Sequence, residues 1–172
     1  LENLTNLTSL DLSYCDSLQV QYMTSEMTTR EQVSAYQDKI RIVMALKKND
    51  MNMLLDYKDV TVLNLDGCDS LQNVDGLASL TNLTSLDLSR CKSLQNVDGL
   101  ASLTNLTSLD MSGCTLLQNA TGLANLINLT SLDLSQCDSL QVLPIKSIMT
   151  TAAEITEYQN RMCVLNAILD GD

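Results

Sequence analysis

A 23-residue motif recurs along the chain and constrains its fold more than any other feature. Residues 80–102, LTNLTSLDLSRCKSLQNVDGLAS, return almost unchanged as residues 103–125, LTNLTSLDMSGCTLLQNATGLAN. The same period separates four of the six cysteines: Cys68, Cys91, Cys114 and Cys137. A unit this short cannot bury its own leucines, so the copies are expected to stack and to form one continuous apolar column.

Each copy carries the frame L-x-x-L-x-L-x-x-C, which one copy forms from Leu83, Leu86, Leu88 and Cys91. The L-x-L part alternates with a period of two, which predicts a short strand with its leucines facing the core. Strands of successive copies would lie about 4.8 Å apart in a parallel sheet. The Asp-Gly pair later in the unit favours a tight turn, and we expect a 3₁₀ or irregular turn over residues 98–103.

These units resemble leucine-rich repeats, with Cys in the place that Asn usually holds. The rest of each unit, L-x-N-x-D-G-L-A-S-L-T-N-L, is similar to the short repeats of the bacterial internalin-like class. The segment LDLSRCKSL also resembles repeats of plant disease-resistance receptors. The resemblance covers residues 1–20 and 60–143. It implies an α/β fold, a solenoid with a parallel β-sheet on its concave face, and protein recognition on that face.

A longer repeat is superimposed on the short one. Residues 1–50 align with residues 123–172 at a constant offset of 122, and 25 of the 50 positions are identical. In the second copy, Thr151 and Glu154 form a capping-box pattern that predicts the start of a helix. Apolar residues then follow at helical spacing in both copies: Val33, Tyr36, Ile40 and Val43, then Ile155, Tyr158, Met162 and Leu165. We expect these stripes to pack on the open ends of the leucine column.

The two periods together divide the chain into four parts. Residues 1–23 are the end of a first leucine-rich block, and residues 24–59 are a helical insert or cap. Residues 60–145 form a solenoid of four 23-residue repeats. Residues 146–172 are a second insert, equivalent to residues 24–50.

Charge and composition exclude several classes of function. The net charge is −11, so nucleic acid is a poor partner, because phosphate binding needs a basic surface. No apolar run approaches the ~18–20 residues of a membrane span. Histidine is absent, which removes the commonest general base and metal ligand. We therefore predict no enzyme activity, no cofactor and no metal site. Six of the ten Lys and Arg residues lie in the first insert, so the solenoid itself is acidic.

The residue inside each L-x-L points away from the core and forms an acidic column on the sheet. The position before each Cys, by contrast, changes in type from copy to copy, which favours contact with a partner, and Tyr and Arg are enriched at binding hot spots. The predicted contact residues on the concave face are Asp11, Tyr14, Asn64, Ser85, Asp87, Arg90, Asp110, Asp133 and Gln136. Two other interpretations of the column stay open. In the first, LDLS is simply the recurring sequence of the repeat and has no binding role. In the second, its carboxylates form a row of cation ligands, although strands lack the loop geometry of a calcium site.

The periodic cysteines and the N-L-T sequons each have a structural interpretation. One buried cysteine per repeat indicates reduced structural thiols that interact with the turn backbone, which favours a cytoplasmic or otherwise reducing setting.

Because the chain begins at Leu1 without Met, delivery as a secreted or injected bacterial effector, or display on a surface, stays open. Neighbouring repeats cannot all carry bulky glycans, so the sequon asparagines are interpreted as part of the turn between repeats.

The leading hypothesis is a non-catalytic scaffold that binds a protein partner, basic in charge, on the concave face. The alternative is a structural tandem array or a head-to-tail assembly, with this chain a fragment of a longer one. The longer repeat suggests this alternative. In its first copy the sequence continues from Asp50 into Met51, whereas the equivalent Asp172 is the last residue.

Overall fold

The computed structural model describes residues 30–48, 54, 56–141 and 148–170. Four short strands lie in chain order and pair in parallel: β1 (Val62–Asn64), β2 (Ser85–Asp87), β3 (Ser108–Asp110) and β4 (Ser131–Asp133). The register is one full repeat per strand, so that Leu86 lies between Leu63 and Leu109. A fifth strand, β5 (Ile148–Met149), pairs antiparallel with β4. The parallel sheet confirms the predicted α/β solenoid.

The return path contains a 3₁₀ turn in three of the described repeats, and in two of them the turn begins at the Asp-Gly pair, as predicted. Such turns span Asp75–Ser79, Asp98–Ser102 and Thr121–Asn125, and successive turns stack on one another. The space between the strands and these turns is filled by leucines that are almost wholly inaccessible to solvent. Leu83, Leu88 and Leu106 have 0% exposure and belong to one continuous cluster. Stacking therefore buries leucine side chains that a single repeat would leave exposed to water.

Three buried cysteines, Cys91, Cys114 and Cys137, each bond to the backbone of the preceding repeat. The Sγ of Cys91 lies 3.3 Å from the carbonyl oxygen of Leu65 and donates to it, and Cys114 does the same to Leu88 at 3.2 Å. Each of these carbonyl oxygens also accepts a backbone N–H of its own turn, from Cys68 to Leu65 at 3.1 Å and from Cys91 to Leu88 at 3.2 Å. The thiol therefore fills the second acceptor position of a buried oxygen. The four described solenoid cysteines are buried and form no disulfide, which agrees with reduced structural thiols.

The sequon asparagines also connect neighbouring repeats. The Nδ2 of Asn105 donates to the carbonyl oxygen of Thr81 at 2.9 Å, and that of Asn128 donates to Thr104 at 2.8 Å. Asn82 makes the equivalent bond to Lys58. Their recurrence is explained by this bond, which satisfies a turn carbonyl of the preceding repeat.

Helix α2 (Ala152–Asp170) closes the C-terminal end of the column. Its first turn is capped as predicted: the backbone N–H of Glu154 donates to Thr151 Oγ1 at 3.3 Å, and Glu154 Oε2 accepts from the N–H of Thr150. Ile155, Tyr158 and Met162 are at most 2% exposed, and all three belong to the solenoid core cluster. The side chain of Leu165 lies outside the described part.

Helix α1 (Arg30–Lys48) precedes β1 and contacts the 3₁₀ turn Asp75–Ser79. Its buried residues lie in the C-terminal half: Ile42, Val43, Ala45 and Leu46. Of the predicted stripe, Val43 is buried and Ile40 is half-buried, whereas the side chains of Val33 and Tyr36 lie outside the described part. Neither helix, in its described residues, combines the length and hydropathy that a membrane span requires.

Candidate functional site

The outer face of the sheet is the face that points away from the leucine core. Parallel pairing places Asn64, Asp87, Asp110 and Asp133 side by side on it, one per strand. The three aspartates are half-buried and Asn64 is exposed. Ser85 is half-buried at the start of β2, and the equivalent position in β1 is Val62, which is 65% exposed. Of the nine predicted contact residues, Asp11 and Tyr14 lie outside the described residues.

Each of the three described aspartates of this column caps the chain where it leaves the strand. The Oδ1 of Asp87 accepts the backbone N–H of Ser89 at 2.9 Å, that of Asp110 accepts from Ser112 at 2.9 Å, and that of Asp133 accepts from Ser135 at 2.8 Å. Asn64 makes the same bond to the N–H of Asp66. This is the Asx turn, in which a short side chain replaces a backbone partner two residues on. One oxygen of each carboxylate therefore has a structural task, which explains why the LDLS motif recurs.

The second carboxylate oxygen of Asp87 is also engaged. Asn64 Nδ2 donates to Asp87 Oδ2 at 2.9 Å. The hydroxyl of Ser89 lies between two carboxylates, 2.6 Å from Asp87 Oδ1 and 2.9 Å from Asp66 Oδ1. These side chains satisfy one another, so this end of the outer face has less capacity left for a ligand.

Arg90 forms a bidentate ion pair with Asp66. Its Nε donates to Asp66 Oδ1 at 2.8 Å, and its Nη2 contacts Asp66 Oδ2. Burial acts to raise the pKa of Asp66, but the hydrogen bonds from Arg90 and Ser89, together with the charges of Arg90 and Lys39, hold that pKa below its ordinary value. Sequence reasoning missed Asp66. The available signal was that Asp stands here where the next three repeats have Ser89, Ser112 and Ser135.

The C-terminal end of the column differs in its hydrogen bonding. From the part of the chain that the structure describes, no donor reaches Oδ2 of Asp110 or Asp133. The position of Arg90 and Asp66 is taken in the third repeat by Gly113 and Ser112, which supply no side-chain cation. This end of the outer face therefore presents two carboxylates on neighbouring strands whose acceptor capacity is partly unused.

The position before each Cys is conformationally constrained. Its φ is positive in all four described repeats: 68° at Gly67, 58° at Arg90, 74° at Gly113 and 60° at Gln136. The left-handed region costs a residue with a Cβ about 1–2 kcal/mol, and glycine avoids this cost. The repeats therefore share a backbone conformation here while the side chain varies, and the contact of this position with a partner stays a prediction. Arg90 offsets its backbone cost in part through Asp66, and both Arg90 and Gln136 are exposed.

We expect the substitution Gln136→Gly to raise the free energy of unfolding by about 0.5–1 kcal/mol, because it relieves the left-handed backbone. Arg90→Gly relieves the same strain but removes the pair with Asp66, so its stability should be lower than that of Gln136→Gly by up to about 1 kcal/mol. Urea denaturation of the two variants beside the parent protein measures both effects. A loss of stability in Gln136→Gly would contradict the backbone argument.

The cysteine thiols offer little chemistry. Burial raises the pKa of the Cys91 thiol to about 12 and that of Cys137 to about 11, and it raises the pKa of Cys114 as well. At neutral pH these groups are protonated, whereas the thiolate is the reactive form. Among the residues that the structure describes, no group of three or more His, Cys, Asp or Glu side chains is arranged to hold a metal ion.

A comparison with family models agrees with the repeat architecture. A family model described as "Leucine Rich repeat" matches three segments of the chain, residues 3–19, 79–101 and 102–120. A comparison with curated proteins found no match. Among solved structures, an internalin from Listeria monocytogenes is similar at 18% identity and a TM-score of 0.16, over 59% of this chain and 53% of the internalin chain. The chain thus spans about half the length of that protein. The family model, which falls on the units with the L-x-x-L-x-L frame, supports the assignment.

Proposed function

We propose that this chain, a leucine-rich repeat protein, is a non-catalytic scaffold that binds a basic protein partner on the outer face of its sheet. The contact is centred on Asp110 and Asp133. It extends along the same face to Ser85, Asp87 and the exposed Gln136. The membership in a repeat family supports an interaction role in general, since stacked repeats provide an extended surface rather than an enclosed pocket.

One observation carries the choice of site. Asp110 and Asp133 are in register on β3 and β4, and each retains one carboxylate oxygen without a donor among the described residues. Adjacent strands lie about 4.8 Å apart, so two negative charges stand close together. Their repulsion is reduced when a Lys or Arg side chain approaches both, which favours a basic partner over a neutral one.

The contacts at the other end of the column also favour Asp110 and Asp133 as the centre of the site. There, Asp87 is already bonded to Asn64, and Asp66 is already paired with Arg90. A cationic partner would have to compete with these contacts, whereas it meets no such competition at Asp110 and Asp133.

The test is a double substitution, Asp110→Asn with Asp133→Asn, measured with a hexalysine peptide as the probe. Asn keeps the Oδ1 acceptor that caps the strand exit, so the fold is retained while two charges are removed. We expect the peptide's Kd, measured by calorimetry at low salt, to rise about tenfold, since each close ion pair at a surface contributes roughly 0.5–1 kcal/mol.

A charge-matched control separates this site from general attraction to an acidic protein. Asp75 and Asp98 are exposed on the 3₁₀ turns, so Asp75→Asn with Asp98→Asn removes the same net charge elsewhere. The control should change Kd less than twofold. Equal weakening in both double variants would show that hexalysine senses net charge only, and would refute the outer face as the site.

A further inference from the structure

Helices α1 and α2 are the same element of the 122-residue repeat. The offset carries Arg30–Lys48 onto Ala152–Asp170 at both ends. The structure therefore shows one type of helix in two settings. In one setting it precedes a leucine-rich block, and in the other it follows one.

Helix α2 shows how this element packs on the block before it. Ile155, Tyr158 and Met162 of its N-terminal half are buried, and Gln159 is 7% exposed. The Nε2 of Gln159 donates to the carbonyl oxygen of Leu123 at 2.7 Å, which ties the helix to the last 3₁₀ turn. We call these residues the first face of the helix.

Helix α1 shows how the element packs on the block after it. Ile42, Val43, Ala45 and Leu46 are buried and share one cluster with the solenoid core. Lys39 Nζ donates to the carbonyl oxygen of Asp66 at 2.7 Å, just beyond β1. With 3.6 residues per turn, these positions lie on the side of the helix opposite to the first face. They form its second face.

The second face of α2 is also apolar, and the two of its residues whose side chains the structure describes are exposed. In the alignment, the counterparts of the four buried α1 residues are Val164, Leu165, Ala167 and Ile168. Val164 is 61% exposed, although the equivalent Ile42 is 2% exposed. Ala167 is exposed, although the identical Ala45 is buried. The exposed Arg161 stands where Lys39 reaches a backbone carbonyl, so the cation is retained as well.

We propose that the second face of α2 is a docking site for a further leucine-rich block, joined to α2 as residues 60–141 are joined to α1. Val164 and Ala167 would pack on its first leucines, and Arg161 would donate to the carbonyl that corresponds to that of Asp66. In a second copy of this chain, the block of residues 60–141 already carries α1 at this end, so a further block is the occupant that reproduces the packing of α1. This inference does not depend on the proposed function.

The experiment extends the full chain rather than dividing it. A second copy of residues 51–141 is appended after Asp172, which is the equivalent of Asp50. If the block docks, the extended chain should unfold in urea in a single transition, with an m-value about half again as large as that of the parent, because m scales with the surface exposed on unfolding. Val164→Asp should split or broaden that transition, while the same substitution should leave the parent's midpoint unchanged.

Asn160→Asp is the matched control, because Asn160 is exposed in α2 and α1 already has Asp38 at this position. It should leave the extended chain's single transition intact. Two independent transitions in the unsubstituted extended chain, or an added block that stays unfolded, would overturn the proposal. So would dimerisation of the parent in sedimentation equilibrium that Val164→Asp abolishes, since the occupant would then be a second copy.

Discussion

Replacing Tyr158 with Asp is expected to lower the free energy of unfolding by about 4 kcal/mol. Tyr158 is 2% exposed between α2 and the last repeat, and burial raises the pKa of its hydroxyl to about 12. The substitution removes an aromatic ring from this packing and places a carboxylate where water cannot solvate it. Urea denaturation followed by far-UV circular dichroism measures the loss.

The loss should also be local, because a stack of repeats transmits stability mainly between neighbours. Amide hydrogen exchange is expected to speed up in α2 and in the repeat that contains β4, while β1 and β2 keep most of their protection. Thr156→Asp is the matched control, since Thr156 is exposed on the same helix and receives the same new residue. An unchanged midpoint in Tyr158→Asp would mean that α2 does not stabilise the end of the column.

The solenoid was predictable from the sequence because its evidence is periodic. A short unit with L-x-L and a tight-turn motif has few ways to bury its leucines, and repetition makes stacking the simplest of them. The 3₁₀ turn at Asp98–Ser102 and the cysteine bonds to the preceding repeat follow from the same reasoning. The helices were predictable in location, since Thr151 and Glu154 mark where α2 begins.

Features that depend on one repeat differing from the next were not predictable in this way. The pairing of Arg90 with Asp66 joins residues 24 positions apart, and the pattern of the repeat assigned neither a partner. The predicted stripe of α1 did not include Ile42, Ala45 and Leu46, which are also buried, because spacing alone does not say which apolar side of a helix the following block covers. Strand β5 has two residues, which is too short for an alternation to reveal.

The candidate site was predictable as a column but not in its chemistry. Register followed from the repeat, so the alignment of Asp87, Asp110 and Asp133 was expected and is observed. That each aspartate also holds an Asx turn, and that only some retain an unused oxygen, depends on side-chain geometry. The positive φ values at Arg90 and Gln136 likewise could not be predicted from these residue types. The glycines at the same position in other repeats, Gly67 and Gly113, were the one indication of a left-handed backbone there.

Gly122→Ala is expected to lower the free energy of unfolding by about 2–3 kcal/mol, by overpacking rather than by backbone strain. A Cβ on Gly122 would stand 2.8 Å from the carbonyl carbon of Val97 in the preceding repeat, closer than real contacts allow. The obstacle is backbone, which cannot rotate away as a flexible side chain would. Two stacked 3₁₀ turns would have to separate, and thermal or urea denaturation would report the loss.

Gly113→Ala separates this steric cost from the conformational one. Gly113 has a φ of 74°, yet its nearest neighbours would lie 3.5 Å or more from an added Cβ, which is ordinary contact. The cost should therefore be about 1 kcal/mol, the usual penalty for a Cβ in the left-handed region. Arg90 and Gln136 already tolerate that penalty at the same position, whereas Gly76 and Gly99 keep glycine at the position of Gly122. Equal losses in the two variants would contradict close approach of the turns as the reason for this glycine.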